Sequence, residues 1–375
     1  MQSVLPMESP LIWTSIATGK GADKHGIAGW AVEGKPVAST MRKVKALWNI
    51  LGERGFTVGL NGYLATWPAE EVNGYNFSYR GYFTPDYEGY IKQEQRKTMH
   101  PPELLDDYGP FWSWQPHSEE NFRQLKRFVN IEINPEYSEL PEESPEYTAN
   151  FLIDKRLLWV YPRDESTLRL AIYLQKKRPV DFTAVYFQGI DFLGHVFWKY
   201  TFPEEFSETV NPTEIEMLGK AIPAYYEYID ECLGRLLEVL PDSANIIILS
   251  DHGFRQWPTE NRAPEHSQYW YLTGNHELES ILILHGPDIK KGHRIDDCNV
   301  LDITPTILYL FGLPIGEDMD GQVLTEAISK DFIDTNPYLT IPTYENDSDS
   351  PESAPRANAA DREEIERLRS LGYIR

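Results

Sequence analysis

Two apolar runs in this chain stop abruptly at residues that carry chemistry. Ile246–Leu249 is four aliphatic residues without alternation, the pattern of a strand buried on both faces, and it ends at Ser250-Asp251-His252-Gly253. Thr183–Phe187 repeats the arrangement, followed by Gly189 and then Asp191 and His195 at i and i+4. Phe56–Leu60 and Ile281–Leu284 read as further strands, and Asn150–Tyr161 is also strand-like. Helical periods lie between them. Leu11–Thr18 has Pro10 in its first turn and Gly19 as its stop, with Ser9 placed to cap it. Ser39–Gly55 repeats Met41, Val44, Leu47, Trp48 and Leu51 at helical spacing. Glu165–Lys177 is amphipathic, and its closing Lys176-Lys177-Arg178 suits a helix C-terminus. Glu214–Leu240 reads as one long helix, and Asp302–Leu310 as a short one. Strands alternating with helices predict an α/β fold with a mainly parallel central sheet.

From residue 61 to 150 the texture changes. Tyr63, Trp67, Tyr75, Tyr79, Tyr82, Phe83, Tyr87, Tyr90, Phe111, Trp112 and Trp114 crowd a stretch of weak periodicity. It reads either as an aromatic-rich cap insertion over the catalytic end of the sheet or as a small satellite core. The catalytic core then comprises 1–60 and 151–335. Residues 336–375 form a tail, rich in Asp, Ser, Pro and Ala from Tyr344 to Ala360 and expected to be disordered there, with a terminal helix over Asp361–Ile374.

The 375 residues suffice for one large α/β domain with an insertion. A net charge of −23 argues against nucleic acid or an anionic membrane as a surface partner. Cys232 and Cys298 make no metal-type or disulfide spacing and fit a reducing compartment such as the cytoplasm. No apolar run is long enough to span a membrane.

Ligands of open α/β sheets bind beyond the carboxyl ends of strands. Asp251 with His252, and Asp191 with His195, stand at two such ends and pair hard oxygens with imidazoles, a donor set suited to Zn²⁺-like ions. Two such pairs point to two divalent ions clamping a phosphoryl displacement. Ser9, at the positive end of a short helix, is either a plain cap or a residue at an anion site.

The set Ser9-Pro10, Trp13-Thr14-Ser15, Thr18-Gly19, His25-Gly26-Ile27, Gly189 with Asp191 and His195, Ser250 to Gly253, and Gly274 with His276 resembles the type I phosphodiesterase / nucleotide pyrophosphatase family of the alkaline phosphatase superfamily. The resemblance implies a three-layer alkaline-phosphatase-like sandwich. It implies hydrolysis of a small phosphorylated substrate, diester or monoester, through a phosphoseryl intermediate on Ser9, with Thr14 the runner-up nucleophile. It places one divalent ion, Zn²⁺ or Mn²⁺, on Asp191, His195 and His276. A second would lie on Asp251, His252, the Ser9 oxygen and an Asp that follows the family's first strand. No Asp precedes Ser9 in this chain. The expectation is therefore a core lacking its first strand, a second ion held loosely, and almost no activity in these 375 residues alone. Ile12 stands where nucleotide-cleaving members carry Asn, which loosens the likeness to nucleotide pyrophosphatases. His25 is expected to shape its loop, and His266 is a weaker ligand candidate. A sulfatase is disfavoured by Ser9-Pro10-Leu11-Ile12, a mutase would carry other inserts, and a non-catalytic binding module is supported only by the absent Asp.

Overall fold

The structure, a computed structural model, describes residues 1–32, 34–82, 96–108, 117–257, 270–345, 365 and 368–369. Its central sheet has four strands in the order Met99–His100, Gly74–Phe77, Val58–Asn61, Phe182–Val185. Val58–Asn61 runs parallel to both neighbours, and Met99–His100 closes the edge antiparallel. Gly74–Phe77 and Met99–His100 belong to the range read as an insertion, so the sheet extends into it.

The remaining ladders depart from a mainly parallel sheet. Ile246–Leu249 pairs antiparallel with Leu282–His285, Leu249 opposite Leu282. Gly253–Gln256 pairs antiparallel with Gly274–Glu277, Phe254 opposite His276. The Gly253–Gln256 and Gly274–Glu277 pair lies between Ile246–Leu249 and its partner in the chain, and both later strands run against their earlier partners. The sheets are mixed.

Helices cover both faces of the central sheet. On one side Ser9–Thr18, Leu47–Glu53 and Ile303–Leu310 enclose a core with Val58 and Leu60. On the other, Leu158–Lys177 packs Leu170 and Leu174 against Tyr75 and Phe77. A second large cluster joins that helix to Gly189–Thr201 and Ala221–Leu237.

Four expected elements differ. Asn150–Tyr161 is helical, forming part of a run from Pro145 to Lys177 with a π-turn at Ile153–Leu157. Its buried positions Ala149, Leu152, Ile153 and Leu157 are spaced three and four apart, and Ser144 caps the start by accepting the Tyr147 N–H at 3.1 Å. The dense aliphatic run masked that period. The long helix is two, Pro212–Leu218 and Ala221–Leu237. They part at Gly219, where a Cβ would stand 2.7 Å from the Ile215 carbonyl oxygen and 2.9 Å from that of Tyr200. The 39–55 segment is a 3₁₀ turn at Ser39–Met41 followed by the Leu47–Glu53 helix. Glu8, not Ser9, is the cap of the first helix, and Ser9 is its first helical residue. His266, most of the terminal helix, the polar tail and the aromatics from Phe83 to Trp114 lie outside the described residues.

Candidate active site

Five elements deliver the chemistry to one place. The Ser9–Thr18 helix brings Ser9, the turn after Ile246–Leu249 brings Asp251 and His252, the Gly189–Thr201 helix brings Asp191 and His195, and the Gly274–Glu277 strand brings His276. The fifth is the buried Leu158–Lys177 helix, which fixes the start of the Asp191 helix from outside. Asp164 accepts the backbone N–H of Gln188 at 3.0 Å and of Gly189 at 2.9 Å, and Tyr225 donates its hydroxyl to the same carboxylate at 2.8 Å. Asp164 thus serves as a helix cap supplied from a distant part of the chain. Burial raises its pKa to about 6.

Glycine makes the close approach possible. A Cβ on Gly189 would lie 2.0 Å from the Tyr225 ring, and one on Gly274 would lie 2.1 Å from the Gly194 carbonyl oxygen. The helix bearing His195 and the strand bearing His276 therefore touch backbone to backbone. Phe254, on the paired strand, fills the space beneath the imidazoles, with ring centroids 5.1 Å from His195, 5.6 Å from His252 and 5.5 Å from His276.

The three histidines are oriented alike. His195 donates Nδ1–H to the Gly274 carbonyl at 3.0 Å, His276 to that of Met7 at 2.9 Å, and His252 to that of Gly253 at 3.1 Å. A carbonyl only accepts, so each Nδ1 carries the proton and each Nε2 is left to the site. All three Nε2 atoms surround Asp191 Oδ1, at 3.4 Å for His195, 3.5 Å for His276 and 3.7 Å for His252. His252 Nε2 is also 3.5 Å from Asp251 Oδ2 and 3.4 Å from Ser9 Oγ. The His252 and His276 rings stack at 3.6 Å.

Electrostatics follow this packing. Burial works against charge on Asp191, yet His195 and His276 outweigh it and hold its carboxyl well below the ordinary range. Burial raises Asp251 and lowers His252. Burial opposes charge on His276 too, but Asp191 prevails and its pKa is raised. Histidines pinned at Nδ1 by backbone carbonyls, with Nε2 converging beside buried carboxylates, are donors of the kind that hold divalent ions. Asp191, His252 and His276 offer ligand atoms all within 4.8 Å of one another.

The structure brings together Ser9, Asp191, His195, Asp251, His252 and His276. Thr14 is buried with its hydroxyl donated to the Pro10 carbonyl at 2.6 Å, back-bonded within its helix. His25 stands apart: its Nδ1 accepts the Ile27 N–H at 3.1 Å and its Nε2 lies 3.0 Å from Ser15 Oγ, so it shapes its loop. Sequence reasoning missed Asp164, Tyr225, Phe254 and the Met7 carbonyl. Only Phe254, next to Gly253, carried a local signal.

The sequence profile of type I phosphodiesterase / nucleotide pyrophosphatase matches residues 1–307. The chain belongs to that family. Its fold is accordingly the α/β fold of alkaline-phosphatase type, and its family is one of phosphoric ester hydrolases. This family member also matches 2,3-bisphosphoglycerate-independent phosphoglycerate mutases, with 30% identity over 137 residues for that of Cyanothece sp. and 29% over 132 residues for that of Thermomicrobium roseum. These matches cover 33% and 32% of this chain, and the chain spans about a quarter of the length of each mutase. Among solved structures it is similar to human ectonucleotide pyrophosphatase / phosphodiesterase 5, at 12% identity and a TM-score of 0.46, covering 87% of this chain and 90% of that one. The murine counterpart gives 12% identity and a TM-score of 0.48, covering 88% and 90%.

Proposed function

We propose that this chain is the catalytic body of a metal-dependent phosphoester hydrolase that works through a phosphoseryl intermediate on Ser9. The observation that carries the reading is the convergence of three Nε2 atoms on Asp191 Oδ1, with Ser9 Oγ 3.4 Å from one of them. Asp191, His195 and His276 would hold one divalent ion, Zn²⁺ or Mn²⁺, and Asp251 and His252, with the Ser9 oxygen, a second. Ions bound there polarise phosphoryl oxygens and favour the ionised form of a bound hydroxyl.

The chain's own residues account for the rest. Ser9 is the first residue of a ten-residue helix, so the positive end of the helix dipole favours a phosphate at its hydroxyl. Ser9 Oγ, freed of its proton, attacks phosphorus and the ester oxygen departs with a proton. Water then cleaves the phosphoserine, releasing the phosphoryl group and restoring Ser9. The Phe254 ring and the Nδ1 contacts hold the imidazoles still while charge builds on the phosphoryl oxygens. The substrate is a small phosphate ester, diester or monoester.

The test is turnover of bis(p-nitrophenyl) phosphate and p-nitrophenyl phosphate, with a sulfate ester in parallel, in excess Zn²⁺ or Mn²⁺. Ser9→Ala is expected to abolish phosphate-ester turnover without loss of fold, and Thr14→Ala to retain it. The reverse pattern would move the nucleophile to Thr14.

A further inference from the structure

Glu8 stands between two residues that are tied to the site. The Met7 carbonyl accepts Nδ1–H of His276 at 2.9 Å, and Ser9 Oγ lies 3.4 Å from His252 Nε2. The backbone of Glu8 is extended, at φ −105° and ψ 112°, and its carbonyl accepts the Ile12 N–H at 3.0 Å to open the Ser9–Thr18 helix. Its side chain does not cap that helix. Short residues such as Ser, Asp and Asn do so, and helix formation alone gives no reason for a glutamate here.

The position of the side chain is set by its neighbours. A Cβ on the buried Gly29 would lie 3.6 Å from Cγ and from Oε2 of Glu8, so the side chain lies against the Gly29 backbone. Glu8 is half-buried, and its carboxylate makes no hydrogen bond or ion pair among the described residues. Burial works against its charge, and His276 close by favours it. Glu8 also stands outside the trio whose ligand atoms gather within 4.8 Å, Asp191, His252 and His276. A partly buried carboxylate with no partner is unfavourable, the more so in a chain whose net charge is already −23. Its field reaches His276, whose Nε2 is turned into the site, and so reaches an anion held beside that imidazole. Partly buried charges of this kind are screened far less by salt than exposed ones.

We infer that Glu8 is a specificity-determining residue that reads the charge of the ester. Resting on the phosphoester reading of the site, Glu8 disfavours a phosphoryl group with two negative charges and directs the site to singly charged diesters. The physical basis is Coulombic. Divalent ions and the helix N-terminus attract any phosphate, and a doubly charged monoester more than a singly charged diester. A fixed carboxylate beside the nucleophile repels the monoester with twice the force it exerts on the diester. It therefore offsets the advantage that the site's positive charge gives the dianion. Selectivity of this kind comes from a repulsive element set against the unwanted ligand.

The experiment compares the unaltered full chain with Glu8→Gln and Glu8→Lys, all in excess Zn²⁺. kcat/KM is measured for bis(p-nitrophenyl) phosphate, which carries one negative charge, and for p-nitrophenyl phosphate, which carries two at alkaline pH. The monoester-to-diester ratio is expected to rise ~10-fold or more in Glu8→Gln and further in Glu8→Lys. The difference between variants should narrow as salt is added, which a packing effect would not do. The second readout is calorimetric binding of inorganic phosphate at alkaline pH, expected to tighten ~10-fold in Glu8→Gln. A folded Glu8→Gln chain with both the ratio and the phosphate affinity unmoved overturns the inference. So does a ratio that fails to follow charge in the order Glu, Gln, Lys. If no chain turns over either ester, the catalytic reading fails by itself. Phosphate affinity then decides on Glu8, tightening in Glu8→Gln supporting its role and an unchanged value overturning it.

Discussion

His195 Nε2 and His276 Nε2 face each other at 3.0 Å, while each ring donates its Nδ1–H to a backbone carbonyl, Gly274 and Met7 respectively. Two lone pairs at that distance repel unless a cation or a proton lies between them. Asp191 Oδ1, within 3.5 Å of both, completes a triangle of donors. Excess Zn²⁺ is therefore expected to raise the thermal midpoint and a chelator to lower it, measured by calorimetry at neutral pH. An unchanged midpoint would mean that a proton suffices to bridge the pair.

Asp164 is expected to act through Asp191 without touching substrate. Asp164→Asn turns an amide group toward the N–H groups of Gln188 and Gly189, costing about 1–3 kcal/mol in urea unfolding. Loosening the helix that carries Asp191 and His195 should weaken metal affinity ~10–100-fold. Reduced stability with unaltered metal affinity would make Asp164 purely structural.

Gly274→Ala places a Cβ 2.1 Å from the Gly194 carbonyl oxygen, a backbone atom with no rotamer to escape into. The strand must move off the helix, drawing His276 away from His195. A loss of roughly 1–3 kcal/mol is expected, together with weakened metal binding. Gly292→Ala, where nothing lies within 4 Å but φ is +64°, supplies a strain-only comparison away from the site.

The pH dependence of stability has a definite sign at His25. Burial lowers its pKa to about 4, with Arg42 adding to the effect, against an ordinary value of 6.5. The folded state therefore prefers neutral imidazole. Its contribution is fully present above pH 6.5 and is lost as pH falls through 4, about 3 kcal/mol in all. His25→Gln is expected to flatten the difference in urea stability between pH 7 and pH 4.5. An equally steep fall in the variant would place the acid sensitivity elsewhere.

Much of the site was legible in sequence because punctuation marks it. Pro10 and Gly19 bracket the Ser9 helix, the aliphatic run before Asp251 names its strand, and i, i+4 spacing sets Asp191 and His195 on one helical face. The failures have physical causes. Helical period at 150–161 was masked by an apolar run dense enough to read as a strand. Strand direction is invisible in a strand's own residues, so the antiparallel partner of Ile246–Leu249 was missed. The helix break falls at Gly219, whose backbone passes too close to the Tyr200 carbonyl for a Cβ, an approach that no local pattern encodes. Asp164 lies 25 residues from the Gly189 N–H it caps, on a helix that sequence gave no reason to connect with the site.

The most direct measurement is isothermal titration of the metal-free full chain with Zn²⁺ and Mn²⁺ at neutral pH. The account predicts saturable uptake of two ions per chain, the one on Asp191, His195 and His276 lost in His195→Ala and in His276→Ala and both retained in Thr14→Ala. A folded chain that takes up neither ion with its histidines intact would contradict it.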